Sequence, residues 1–189
     1  MRLGWLPNAI CLFRVLLIWP IVLLLVREEY LVALLLIAIA GISDGLDGFF
    51  ARRFDWHTRL GSVLDPAADK LLTLFVFLTL SYLGLVPFAL TVLVVVRDIV
   101  IVLGALAYQL LIEPVYGRPA LVSKLNSAAQ LVFVLSTISA ASFGLPSQGV
   151  VLVLGAAVTF TSIISGLNYV IGRSKEAWRK IYNPVAAEN

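Results

Sequence analysis

Four carboxylates dominate the chemistry this chain could perform. Asp44 and Asp47 stand three residues apart, and Asp65 and Asp69 four apart, within stretches otherwise rich in Leu, Ile, Ala, Val and Gly. On helices each pair shares one face. A charge near the centre of a bilayer costs roughly 2.5 to 3.5 kcal/mol even on lenient scales, so four together call for a compensating charge. Divalent cations supply it. Hard carboxylate oxygens suit Mg²⁺, Mn²⁺ or Ca²⁺, whereas one Cys and one His in the whole chain argue against zinc. Two such ions held by Asp44, Asp47, Asp65 and Asp69 would form a clamp able to neutralise a pyrophosphate and a leaving phosphate.

The elements that must position these groups are membrane helices. The 189 residues are 61% hydrophobic and only 13% charged, with a mean hydropathy of +1.01, far from the balance of water-soluble domains. Six apolar segments can be marked, at about 8–26, 30–51, 60–83, 86–112, 121–143 and 149–171. Long continuous apolar runs, without period-two alternation, predict helices rather than a barrel. The breakers are Arg27-Glu28-Glu29, Phe54-Asp55-Trp56-His57, Gly84 before Pro87, Glu113-Pro114 through Pro119, and Pro146-Ser147. Such spans leave no room for a soluble domain, so residues 1–189 read as a single all-α integral membrane domain.

Basic residues set the orientation. Arg52, Arg53 and Arg59 fall in the second connection, Arg118 and Lys124 in or beside the fourth, and Arg173, Lys175, Arg179 and Lys180 in the tail. The positive-inside rule places these, and both termini, on the cytoplasmic side, so the metal site opens to the cytoplasm. The first apolar run contains Arg14 and Pro20 and ends in Arg27-Glu28-Glu29, which does not fit a cleaved signal peptide. Cys11, alone, reads as a packed thiol. The tail from Gly172, with Trp178 and Tyr182 among basic residues, suits either a short interfacial helix on anionic lipid or a solvated tail.

Between and around the carboxylates the chain reads Asp44-Gly-Leu-Asp47-Gly48-Phe-Phe-Ala51-Arg52, eight residues, then Gly61-Ser-Val-Leu-Asp65-Pro-Ala-Ala-Asp69-Lys70. Gly48 removes a side chain where a ligand would approach, Ala51 keeps the same face shallow, and Arg52 offers a planar fork to phosphate. This run resembles the signature of the CDP-alcohol phosphotransferases, D-x-x-D-G-x-x-A-R, eight residues, G-x-x-x-D-x-x-x-D, with every fixed position filled. The resemblance implies transfer of a CMP-linked phosphoalcohol to an acceptor hydroxyl with release of CMP. It further implies that the four aspartates hold two divalent ions, that Asp69 takes the acceptor's proton, that Gly48, Ala51 and Arg52 line the nucleotide, and that the chain is a homodimer.

Outside the signature, Arg97 and Asp98 lie in the fourth span and Lys124 opens the fifth. Two readings stand for Arg97: a buried charge pair with Asp98, or a basic pocket with Lys124 for an acceptor phosphate. Arg14 either reaches ligand phosphates or snorkels to the interface. Asn8, placed just before the first span, reads as a helix cap or nucleotide contact, and His57 as a solvated surface residue.

The flanks bear on the acceptor. Arg97-Asp98 without a later arginine in that span, and Val122-Ser123-Lys124-Leu125-Asn126-Ser127, resemble the eukaryotic-type cardiolipin synthases more than the phosphatidylglycerophosphate synthases. The implied reaction joins CDP-diacylglycerol to phosphatidylglycerol, forming cardiolipin. The alternative acceptor is glycerol 3-phosphate, a dianion that would want more cations. A bacterial inner membrane or a mitochondrial inner membrane would house it, and no nucleic acid partner is implied. An ion transporter would not need Gly48, Ala51 and Arg52 at fixed offsets, and a scaffold would not need the aspartates.

Overall fold

The structure is a computed structural model that describes the backbone of residues 6–54, 61–111 and 121–182, and the side chains of residues 12–43, 70–104 and 123–172. Among the described residues it is all helical. The helices are α1 (Leu6–Val26), α2 (Tyr30–Phe54), α3 (Gly61–Tyr82), α4 (Phe88–Leu111), α5 (Leu121–Phe143) and α6 (Gln148–Tyr182). Five of the six segments expected from sequence match these bounds to within three residues.

The joints show why the helices stop where they do. After α1, the Glu28 amide donates to Leu25 O over 3.0 Å and the Glu29 amide to Leu24 O over 2.9 Å. This is a Schellman closure with Glu28 in the left-handed region at φ 60°. The same closure ends α3, where the Leu85 amide reaches Leu80 O over 2.9 Å and Gly84 supplies φ 72° without a Cβ penalty. Gly144, at φ 72°, ends α5, and its amide donates to Ala140 O over 2.9 Å.

Two differences from the sequence reading concern helix ends. Asn8 lies inside the first turn of α1 rather than ahead of it, because Pro7 sits where a helix needs no backbone donor; a capping role for Asn8 is therefore excluded. The tail does not form a separate element: α6 is one helix of 35 residues running through Gly172 to Tyr182. Lys, Glu, Ala, Trp and Arg after Gly172 are good or tolerable helix formers, and no proline interrupts them. A 35-residue helix is about 52 Å long.

The chain forms two compact units, one comprising residues 1–91 and 134–151, the other residues 92–133 and 152–189. In the first, α1 packs on both α3 and α2, and Ile21, Leu25, Ala33, Ile37, Phe77 and Leu80 are buried. In the second, Val94, Phe133 and Val158 are buried beside a set of polar side chains. The outward faces are apolar: Trp19 is 73% exposed and Leu152 75%. Ser123–Phe143 and Gln148–Gly172 are, among the described residues, long and apolar enough to cross a membrane.

Candidate active site

The signature run is divided between two helices that meet at one end of the first unit. Asp44, Asp47, Gly48, Ala51 and Arg52 lie on the last part of α2, and Asp65 and Asp69 on the first part of α3. At 1.5 Å per residue, Asp47 lies about 10 Å from the end of α2 and Asp69 about 12 Å from the start of α3. The helical assignment places each aspartate pair on one helix face, as the spacing of three and four requires. The side chains of these residues, and of Asn8 and Cys11, lie outside the described residues, as does His57 altogether. The donor set, four carboxylates on two helices of one unit, fits hard divalent cations.

Arg14 is the charged side chain of α1 that the structure settles furthest. It is 2% exposed, which rules out snorkelling to an interface. The tight turn makes α1 and α2 antiparallel: Arg14 is twelve residues before Val26, and Ile42 is twelve after Tyr30. Arg14 is thus at the level of Ile42 in α2, within one helical turn of Asp44. A buried cation at this height lowers the cost of assembling the carboxylates.

The second unit holds the other cations, and they do not stand alike. Arg97 is 4% exposed and Asp98 9%, and Arg97 Nη1 donates to Asp98 Oδ1 over 2.5 Å. Arg97 Nη2 donates to Ser123 Oγ over 3.0 Å and also to Ser165 Oγ. The buried charge pair is therefore formed, and Arg97 ties the start of α5 to α6. Lys124, the neighbour of Ser123, is exposed, so it does not share the enclosed setting of Arg97.

Around Arg97 lies a polar seam that sequence reasoning passed over. Asn126, fully buried, and Gln130, 2% exposed, follow Ser123 down one face of α5. Thr161 Oγ1 is 2.7 Å from Asn126 Oδ1, and Ser162 Oγ donates to the same oxygen over 3.0 Å. The signal was present as Ser123, Asn126 and Gln130 at intervals of three and four in an apolar span. Close approach of α4 and α6 is set at Gly104, where an added Cβ would lie 2.7 Å from Tyr169 Cε1.

Comparison with known proteins agrees with this arrangement. The profile of the family described as CDP-alcohol phosphatidyltransferase matches residues 4–161, and the chain belongs to that family. It is 31% identical to the human protein named cardiolipin synthase (CMP-forming) over 179 residues, covering 86% of this chain and 60% of the relative. It is 32% identical over 184 residues to a chloroplastic CDP-diacylglycerol–glycerol-3-phosphate 3-phosphatidyltransferase of Oryza sativa, covering 88% of this chain and 56% of the relative. A probable phosphatidylglycerophosphate synthase of Mycobacterium tuberculosis is 31% identical over 181 residues, with 89% and 81% coverage. The chain thus spans about three-fifths of the cardiolipin synthase it matches.

Proposed function

We propose that this chain is a membrane-embedded phosphatidyltransferase that moves the phosphatidyl group of CDP-diacylglycerol to phosphatidylglycerol, releasing CMP and forming cardiolipin. The observation that carries the reaction class is the complete aspartate signature, placed at the adjoining ends of α2 and α3 in a chain of the CDP-alcohol phosphatidyltransferase family. Six membrane spans with cytoplasmic termini, a single domain and a homodimer belong to the same reading. Support for the spans comes from the apolar outward faces and the enclosed Arg14, Arg97, Asn126 and Gln130, the distribution a bilayer favours.

Asp44, Asp47, Asp65 and Asp69 would hold two divalent ions, Mg²⁺ or Mn²⁺, which supply charge neutralisation at the pyrophosphate and acidify the acceptor hydroxyl. The chain's own groups do the rest. Gly48 and Ala51 leave room for the cytidine, and Arg52 forks onto a phosphate. Asp69 takes the acceptor's hydroxyl proton as that oxygen bonds to the phosphatidyl phosphorus and the bond to the CMP oxygen breaks. Lys124 takes the acceptor's phosphodiester charge, while Arg97 holds the helix start that carries it.

Phosphatidylglycerol is favoured over glycerol 3-phosphate because Arg97 is already neutralised by Asp98. That leaves Lys124 for a single phosphodiester charge rather than a dianion. The relatives carry both names, so the acceptor is the point to test. Purified protein with CDP-diacylglycerol and Mg²⁺ or Mn²⁺ should release CMP when given phosphatidylglycerol. Release with glycerol 3-phosphate alone would overturn the acceptor, and release with no acceptor would overturn the reaction class.

A further inference from the structure

Three donors inside the second unit have no hydrogen-bond partner: Arg97 Nε, Asn126 Nδ2 and Gln130 Nε2. Leaving a buried polar group unmatched costs about 1 to 3 kcal/mol, and native interiors rarely carry several. Their arrangement is ordered. Arg97 links Ser123 of α5 to Ser165 of α6, and one turn further along α5 Asn126 meets Ser162. Each contact advances three residues on α5 and retreats three on α6, so the next step brings Gln130 level with Val158, which is fully buried. The side-chain hydroxyls that anchor Ser123 and Asn126 have run out at Gln130.

The seam therefore descends from Ser123 to Gln130, seven residues or about 10 Å along α5. It passes from a guanidinium to a primary amide in apolar surroundings. All three unmatched atoms are donors, which selects for a ligand rich in acceptors and poor in protons. A buried water would need two to four polar partners and would bring donors of its own. A diacyl phospholipid offers what the seam lacks, with phosphodiester oxygens at one level and ester carbonyl oxygens at a more apolar one.

We propose that Asn126 and Gln130 form a subsite for the ester carbonyl oxygens of the acceptor lipid, so that the seam selects a diacyl acceptor over a water-soluble one. This rests on the phosphatidylglycerol reading above. The donors are closed over in the described structure, so the lipid occupies a less populated, opened arrangement of α5 and α6 and its affinity carries that cost.

The test compares phosphatidylglycerol with its dialkyl ether analogue, which keeps the headgroup and lacks the carbonyls. The full chain, with CDP-diacylglycerol and Mg²⁺ in mixed micelles, should show kcat/KM about tenfold higher for the diacyl acceptor, the effect of one good hydrogen bond. Gln130→Leu and Asn126→Leu should each bring that ratio towards one while leaving the KM for CDP-diacylglycerol and the melting temperature unchanged or the latter raised. Gln130→Met serves if the leucine variant does not fold. A wild-type ratio of one, or a ratio preserved in the variants, overturns the subsite while leaving the acceptor reading intact. A preserved ratio with a fallen melting temperature identifies a structural water instead. CMP release with glycerol 3-phosphate but neither lipid overturns both readings together.

Discussion

Arg97 and Asp98, consecutive in α4, form an ion pair of 2.5 Å with side-chain exposures of 3% and 12%. Two charges enclosed in a membrane helix are tolerated because each answers the other, and the remaining guanidinium nitrogen Nη2 finds Ser123 and Ser165. Removal of one partner should leave an uncompensated charge and cost about 3 to 5 kcal/mol. Asp98→Ala and Arg97→Ala are both expected to lower the unfolding midpoint in detergent. The double change Arg97→Met/Asp98→Leu should lie closer to wild type than either single variant. Strict additivity would show that the pair is not coupled.

Lys124 should behave differently. It is exposed, so Lys124→Ala should leave the melting temperature unchanged. The KM for phosphatidylglycerol should rise about tenfold, as expected for one charge-assisted hydrogen bond, with little effect on the donor. An equal rise for both substrates would remove Lys124 from acceptor recognition.

Asp69→Asn should abolish CMP release while retaining most binding of CDP-diacylglycerol, because the amide keeps the shape and loses the base. Turnover within a few fold of wild type would exclude Asp69 as the proton acceptor.

Arg14, buried at the height of Asp44, bears on metal dependence. Without its charge the carboxylates repel one another with less relief, so Arg14→Ala should lower stability in chelator and gain more from added Mg²⁺ than wild type does. Thermal melts with and without Mg²⁺ measure both quantities. An identical Mg²⁺-induced shift in the two proteins would separate Arg14 from the carboxylates.

Backbone strain gives a prediction independent of function. Glu28 adopts φ 60° at the close of α1, a conformation costing roughly 1 to 2 kcal/mol for a residue with a Cβ. Glu28→Gly should raise the unfolding free energy by about 1 kcal/mol. Gly84→Ala, where the added methyl meets open space but φ is 72°, should lower it by a similar amount. A neutral result at Gly84 would mean that the turn relaxes.

Much of this was legible in the chain itself because apolar run length and breakers fix helices almost directly: residues 121–143 coincide with α5. The end of α6 was not, since falling hydropathy after Gly172 marks the limit of the apolar stretch and not of the helix. The aspartate signature was legible from spacing, and its helices agree with that spacing, while its side chains lie outside the described residues. Arg14 was undecided in sequence because a cation in a span either snorkels or is enclosed, and only packing distinguishes the two. Asn126 and Gln130 were missed for a related reason. Neutral amides scattered in an apolar run carry little signal until their helix face is known to point inward.

The length of α6 has a mechanical consequence. An apolar stretch ending near Gly172 accounts for about 37 Å of a helix about 52 Å long, and the remaining ten residues carry four of the chain's basic side chains. Because no joint separates the two parts, that charged end and the serines that hold Arg97 and Asn126 belong to one rod. Torque applied where the rod meets anionic headgroups is delivered to Ser162 and Ser165, so the surface charge of the surrounding leaflet acts as a tuning peg for the seam beneath it.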